Sequence, residues 1–156
     1  MKKQLTLERT YEASLEEVWR LWTTAAGIES WWGPEGFTVK VRSLDLKPGG
    51  ELLYDMTATG APQVQFMKKA GMPLTTLTRI TFTEVTAQRR LAYNTLADFI
   101  PGMAPYPVAT QLDLSSVGGQ VRLVLTFDAM HDADWTKRSV MGREMELAKL
   151  AKVLAR

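Results

Sequence analysis

Segments in which apolar and polar residues alternate follow one another through the middle of the chain, and a single helix-period segment ends it. Turn residues, such as Lys47-Pro48-Gly49-Gly50, separate the alternating segments, which cover residues 37–46, 51–58, 75–86, 89–99, 106–116 and 120–129. Such alternation predicts half-buried β-strands, and sequential strands with short connections favour antiparallel pairing. We therefore predict an α+β architecture, in which an antiparallel meander curls around the final helix.

One further strand and two short helices are predicted ahead of this meander. Residues 4–12 alternate in the same way, and a capping-box pattern, serine followed three residues later by glutamate, begins at Ser14. The first helix is expected to begin at Ser14 and to end before Gly27, and a second helix is expected over 28–32. The remaining expectation is an irregular segment over 59–73 that contains a short element at 63–69.

The stretch WTTAAGIESWWGPEGF, residues 22–37, holds three of the five tryptophans of the chain. Three interpretations compete: a core anchor, one wall of a ligand pocket, or a surface for a protein partner. Tryptophan buries a large area while its N–H still reaches a partner, which favours packing in the core or at its rim. We expect Trp19 or Trp22 to anchor the first helix. The rim beside the second strand is expected to hold Trp31, Trp32, Gly33-Pro34 and Phe37.

The final helix, placed on a wheel from Trp135 to Leu154, has one broad apolar arc. The arc contains Val140, Met141, Met145, Leu147, Ala148, Leu150, Ala151 and Leu154, and the opposite side holds Arg138, Ser139, Gly142, Glu146 and Lys149. Glu144 falls near the middle of the arc, where a lone carboxylate is expensive to bury. Three roles stay open for it: pairing with a sheet Arg or Tyr, contact with a ligand, or acid/base catalysis at a raised pKa.

Composition excludes several classes of function. The net charge of +2, without a Lys/Arg block, gives no reason to expect nucleic-acid binding. With no cysteine and the single histidine His131, the chain offers no disulfide, no thiolate nucleophile and no multi-histidine metal site. No apolar run approaches the roughly 20 residues that span a bilayer, and no signal peptide is recognisable. We expect a cytoplasmic protein without a metal or cofactor.

Several motifs together resemble one known family. Residues 9–56 contain RTYEASLEEVWRLWT, WWGPEGF and DLKPGG, and FTEVTAQRRLAYN and LVLTFDAM follow later. This pattern resembles the START-like SRPBCC superfamily, in particular homologues of the activator of the heat-shock-protein-90 ATPase. The resemblance covers essentially the whole chain and implies a single START-like domain over residues 1–156. It also implies a helix-grip fold, similar to that of the birch-pollen allergen, with an internal cavity between the curved sheet and the long C-terminal helix.

Taken together, the motifs, the methionines and the tyrosines favour a non-enzymatic binder of a small hydrophobic or aromatic molecule. One alternative is an enzyme, polyketide cyclase/aromatase-like or hydrolytic, with Glu144 or His131 as acid/base and a tyrosine as hydrogen-bond donor. Another is a chaperone-interacting module, which the resemblance suggests, although we expect no further chaperone-binding domain. Free strand edges would also permit a homodimer. The residues expected to line the cavity are Trp32, Phe37, Tyr54, Met56, Tyr93, Phe99, Tyr106, Met141, Glu144 and Met145.

Overall fold

A seven-stranded antiparallel sheet and a long C-terminal helix form the body of the molecule in the computed structural model, which describes residues 3–98 and 100–155. The strands lie side by side in the order β1-β7-β6-β5-β4-β3-β2. This is the helix-grip architecture that the sequence predicts. The elements are β1 Gln4–Tyr11, α1 Leu15–Thr23, α2 Ala25–Trp31, β2 Phe37–Leu44, β3 Glu51–Ala58, α3 Ala61–Lys69, β4 Thr75–Thr86, β5 Arg90–Ala97, β6 Tyr106–Val117, β7 Gln120–Asp128 and α4 Ala133–Leu154.

The first two strands of the sequence lie at opposite edges of the sheet. β1 pairs with β7, from Gln4 opposite Asp128 to Tyr11 opposite Val121, whereas β2 pairs with β3 at the other edge. The short helices α1 and α2 therefore carry the chain across the width of the sheet. From β2 onward each strand pairs with the next one along the chain, as expected of a meander.

The break between the first two helices lies at Thr24 and not at Gly27, so the predicted boundary is wrong by three residues. Thr24 has an extended backbone, and its hydroxyl accepts a hydrogen bond from Gly27 N at 3.0 Å, which caps α2. Gly27 lies inside α2 for a packing reason. A Cβ at this position would lie 2.5 Å from the carbonyl oxygen of Arg20, so glycine is needed where the helices meet.

The segment between β3 and β4 is more regular than the sequence suggests. The short element expected over 63–69 is an α-helix, α3, which begins at Ala61. Pro62 lies in the first turn of this helix, where a missing backbone N–H breaks no intrahelical hydrogen bond. Within α3, the side chain of Met67 is buried, while that of the neighbouring Phe66 is exposed.

The tryptophan-rich stretch is an anchor of the core. Trp22, Trp31 and Trp32 are all buried, and their ring centroids lie 4.7–5.1 Å apart. Trp31 Nε1 donates a hydrogen bond to Leu21 O at 2.8 Å, which ties α2 to α1. Trp19 is less buried, so Trp22 is the anchor of the first helix.

Two helical glycines give a matched test of this packing. A Cβ on Gly142 of α4 would lie 4.0 Å from Pro34 Cβ, an ordinary van der Waals contact. We expect Gly142→Ala to raise the free energy of unfolding by about 0.5–1 kcal/mol, because alanine is the better helix former. We expect Gly27→Ala to lower it, because the added methyl overlaps Arg20 O. Guanidinium unfolding followed by tryptophan fluorescence measures both, and effects of the same sign would contradict this account.

Candidate functional site

A cavity of about 620 Å³ lies between the sheet, α3 and α4. This volume is in the range of pockets that hold small organic molecules. Alternation along β3, β4 and β5 places every second side chain on the cavity side, and the N-terminal half of α4 forms the facing wall. The sheet contributes Tyr54, Met56, Thr76, Thr78, Ile80, Tyr93, Thr95, Ala97 and Val108, and α4 contributes Trp135, Arg138, Ser139, Met141, Gly142, Arg143, Met145 and Glu146.

The cavity opens to solvent between α3 and α4, where apolar side chains are exposed. Phe66, Met141 and Met145 line the cavity and yet keep 47%, 48% and 38% of their surface accessible. We call these three residues the apolar mouth. The guanidinium of Arg138 lies 5.4 Å from the ring centroid of Phe66, a cation–π contact that links α4 to α3.

Deeper in the same wall, α4 holds the loop that follows α2. Glu146 Oε2 accepts a hydrogen bond from Gly33 N at 3.1 Å, and Lys149 Nζ donates one to Gly33 O at 3.0 Å. Burial raises the pKa of Glu146, an effect that Arg143, the Gly33 N–H and Lys149 oppose. Burial also lowers the pKa of Lys149. One turn of α4 thus holds both backbone polar groups of Gly33.

Arg143 lies one turn before Glu146 and faces the same cavity. Its Nη2 donates a hydrogen bond to Thr110 Oγ1 at 3.0 Å, and its guanidinium lies 4.1 Å from the ring centroid of Phe127. Arg143 and Glu146 form, with Tyr54 and Tyr93, what we call the polar cluster. Burial raises the pKa of Tyr93 to about 12 and that of Tyr54 further, so both hydroxyls stay neutral hydrogen-bonding groups at neutral pH.

The polar cluster continues behind the cavity toward the tryptophans. Trp32 Nε1 donates a hydrogen bond to the Tyr54 hydroxyl at 3.1 Å. A second void of about 20 Å³, lined by Trp22, Tyr93, Arg143 and Glu146 among others, lies on the core side. Within the described part of the chain, the buried Trp22 Nε1 has no hydrogen-bond partner.

Most of the aromatic and methionine residues expected at the cavity do line it. These are Trp32, Phe37, Tyr54, Met56, Tyr93, Met141 and Met145. Phe99 lies outside the described residues. Whether any of them contacts a ligand stays a prediction.

Glu144 does not lie on the buried face of α4, so its expected position is wrong. Its side chain is half exposed, and its carboxylate lies 3.7 Å from Arg9 Nη2 on β1. Of the three roles left open for Glu144, the structure therefore shows pairing with a sheet Arg. The α4 carboxylate that lines the cavity is Glu146, which the wheel places outward together with Lys149. The inward face of the wheel is chosen from the apolar residues alone. The face that points inward in the structure also carries charged side chains, which bond to partners far away in the sequence.

Tyr106 and His131 do not line the cavity but form a contact directly beside it, next to the lining residues Met130 and Trp135. The Tyr106 hydroxyl lies 2.8 Å from His131 Nδ1, and His131 Nε2 lies 3.3 Å from Asp132 Oδ2. Asp132 also caps α4, because its Oδ1 accepts a hydrogen bond from Trp135 N at 2.8 Å. These residues hold the N-terminal end of α4 in place, and they do not contact Glu144.

Sequence reasoning missed Arg143 and Glu146. The signal that could have found them is the spacing of Arg143, Glu146 and Lys149, which recur every three residues and therefore share one helix face. Such a row is normally solvated, so it indicates a polar cavity wall only when a sheet is known to lie opposite. Among the described residues, no cluster of three or more His, Cys, Asp or Glu side chains is arranged to hold a metal ion.

Comparison with known proteins gives one family and one fold. The family model described as "Activator of Hsp90 ATPase homolog 1-like protein" matches residues 12–155. A crystal structure of a Chromobacterium violaceum protein is similar over 98% of this chain and 97% of its own, with 21% identity and a TM-score of 0.80. The AHSA1 protein of Silicibacter pomeroyi is similar over 98% of each chain, with 21% identity and a TM-score of 0.71. No curated protein matches the chain.

A third solved structure, from Mycobacterium smegmatis, is similar over 97% of this chain and 90% of its own, with 17% identity and a TM-score of 0.74. At such low sequence identities, the similarity shows a shared fold and says nothing about the ligand. None of the helices within residues 3–98 and 100–155 has the length and apolar character needed to cross a membrane.

Because the carboxyl of Glu146 is buried, we predict that Glu146→Gln stabilises the fold and that this stabilisation grows with pH. Because the folded state raises the pKa of this group above its ordinary 4.5, its ionisation destabilises the fold as pH rises from 4.5 through the folded pKa. Glutamine keeps an oxygen for Gly33 N and removes that cost. We therefore expect the free energy of unfolding of the variant, relative to the wild type, to increase between pH 4.5 and pH 7.

Guanidinium unfolding at several pH values measures this difference. Glu144→Gln, two residues away on the solvent face of α4, is the matched control and should show no such increase. An equal increase in both variants, or a decrease for Glu146→Gln, would contradict the assignment of Glu146 as the buried carboxyl.

Proposed function

The chain belongs to the activator of Hsp90 ATPase homolog 1-like family, and from its cavity we propose that it binds a small hydrophobic or aromatic molecule between the sheet and α4. The observation that carries this proposal is a space of about 620 Å³ beside a well-packed core. Protein interiors are normally close-packed, so a space of this size inside the fold is unusual. Such a space is typical of a protein that binds a ligand there.

The chemistry of the walls supports an apolar ligand. Trp32, Phe37 and Trp135 offer aromatic surface, while Met56, Met67, Met72 and the methionines of the apolar mouth offer flexible, polarisable side chains. Methionine adapts to ligands of different shapes, which suits a pocket that is not built around one rigid molecule. The exposed position of the apolar mouth provides a path between solvent and the cavity.

An enzyme that uses Glu144 or His131 is not proposed. That hypothesis requires Glu144 or His131 to meet a tyrosine at the cavity. Glu144 pairs with Arg9 instead. The Tyr106 hydroxyl does lie 2.8 Å from His131 Nδ1, but neither of these residues lines the cavity. The chaperone-interacting module, the homodimer and the cytoplasmic location stay predictions. The exposed Phe66, Met141 and Met145 are accounted for as the mouth of the cavity without a protein partner.

A cavity-filling variant tests the proposal. Thr76 and Leu77 are neighbours on β4, but Thr76 lines the cavity and Leu77 is exposed on the other face. We expect N-phenyl-1-naphthylamine, an apolar fluorophore, to brighten on titration with the wild-type protein. Thr76→Trp should weaken this binding about tenfold or more by occupying the space, which corresponds to about 1.4 kcal/mol.

Leu77→Trp is the matched control, because it adds the same ring on the outer face of the sheet. It should bind the fluorophore as the wild type does. Equal binding by the wild type and both variants would place the fluorophore outside the cavity, and the absence of binding to the wild type would argue against an apolar-ligand binder.

A further inference from the structure

The polar cluster suggests what kind of polar group a ligand carries, an inference that rests on the proposed function. Glu146 uses Oε2 to accept the hydrogen bond from Gly33 N. Within the described residues, Oε1 receives no hydrogen bond and keeps some accessible surface. Glu146 lines the large cavity as well as the small void behind it. An acceptor is thus available on the cavity wall.

A donor is available beside that acceptor. Arg143 uses Nη2 for Thr110 and also hydrogen-bonds the Tyr93 hydroxyl. A guanidinium carries five N–H donors in all, so further donors remain. No carboxylate of the described residues lies within ion-pair distance of Arg143, so Glu146 does not consume these donors as a direct partner. Residues three apart on a helix are neighbours on its surface, so the spare donor and the spare acceptor lie on the same part of the cavity wall.

The charges of the polar cluster disfavour an ionic ligand. A ligand anion beside Arg143 would also meet Glu146, and a ligand cation beside Glu146 would also meet Arg143. The lining has three other charged residues, which are exposed to water: Glu35, Asp98 and Arg138. Solvent and salt screen their charges, so they influence the charge of a bound ligand less strongly. A neutral group that both donates and accepts satisfies both sides without bringing a new charge out of water.

We propose that the cavity takes a neutral, mainly apolar molecule that carries a hydroxyl group, with the hydroxyl donating a hydrogen bond to Glu146 Oε1 and accepting one from Arg143. The hydroxyl lies against the polar cluster, beside Tyr54 and Tyr93. The apolar body extends toward Phe66, Met141 and Met145. The ligand therefore enters with its polar end first.

A series of probes with one ring system separates polarity from shape. Naphthalene, 2-naphthol, 2-naphthoate and 2-naphthylmethylammonium share the same apolar body and differ in the polar group. Each competes with N-phenyl-1-naphthylamine for the wild-type protein at pH 7. We expect 2-naphthol to bind about tenfold more tightly than naphthalene, which is the effect of about one added hydrogen bond to a charged partner, and more tightly than both ions.

Two substitutions locate the effect. Glu146→Met and Arg143→Met should each remove most of the preference for 2-naphthol over naphthalene while the variant still binds naphthalene. Glu144→Met, on the solvent face of the same helix, should keep the preference. If either cavity variant fails to fold, the other variant and the wild-type series still decide the question.

The outcomes separate this inference from the proposed function. Tightest binding of 2-naphthoate or of the ammonium, or equal binding of 2-naphthol and naphthalene, overturns the hydroxyl selection while a cavity that binds apolar probes stands. Persistence of the preference in both cavity variants overturns the placement of the hydroxyl. Failure of every probe, the fluorophore included, overturns the proposed function and this inference together.

Discussion

The long helix α4 lies along the seven-stranded sheet and covers it unevenly. Its C-terminal half buries Leu147 and Leu150 in the core, and the Tyr11 hydroxyl donates a hydrogen bond to Leu147 O at 3.1 Å. Its N-terminal half, from Trp135 to Glu146, faces open space instead. The division follows from the side chains, because Ser139 and Gly142 are too small to fill the gap to the sheet.

The tryptophan cluster and the contacts to Gly33 hold the helices in place against the sheet, although the space between them is only partly filled. Trp22, Trp31 and Trp32 fill the space between α1, α2 and the sheet. Glu146 and Lys149 then attach α4 to the loop that leaves α2. A carboxylate and an ammonium that bond both sides of one residue fix the helix more specifically than apolar contact does, at the cost of burying charge.

The same residues give the cavity its two chemical ends. Glu146 bonds the Gly33 N–H and Arg143 bonds Thr110, and both also leave a polar patch on an otherwise aromatic and methionine-rich wall. The apolar mouth is formed by Met141 and Met145, which the wheel places in the apolar arc, and by Phe66 of α3. All three side chains remain partly exposed, which fits an entrance.

The sequence by itself determined the fold class, the strands and most of the aromatic cavity wall, because alternation, capping and turn residues are local signals. Ser14 caps α1 through Glu17 N, and Tyr54 and Tyr93 lie on the inward strand face, as expected. Only the tertiary structure decided which face of α4 points inward. Glu146 is inward and Glu144 outward because Gly33 lies 113 residues from Glu146 in the chain and Arg9 lies on β1. Partners so distant in sequence leave no periodic signal, so the polar part of the site could not be read from the helix alone.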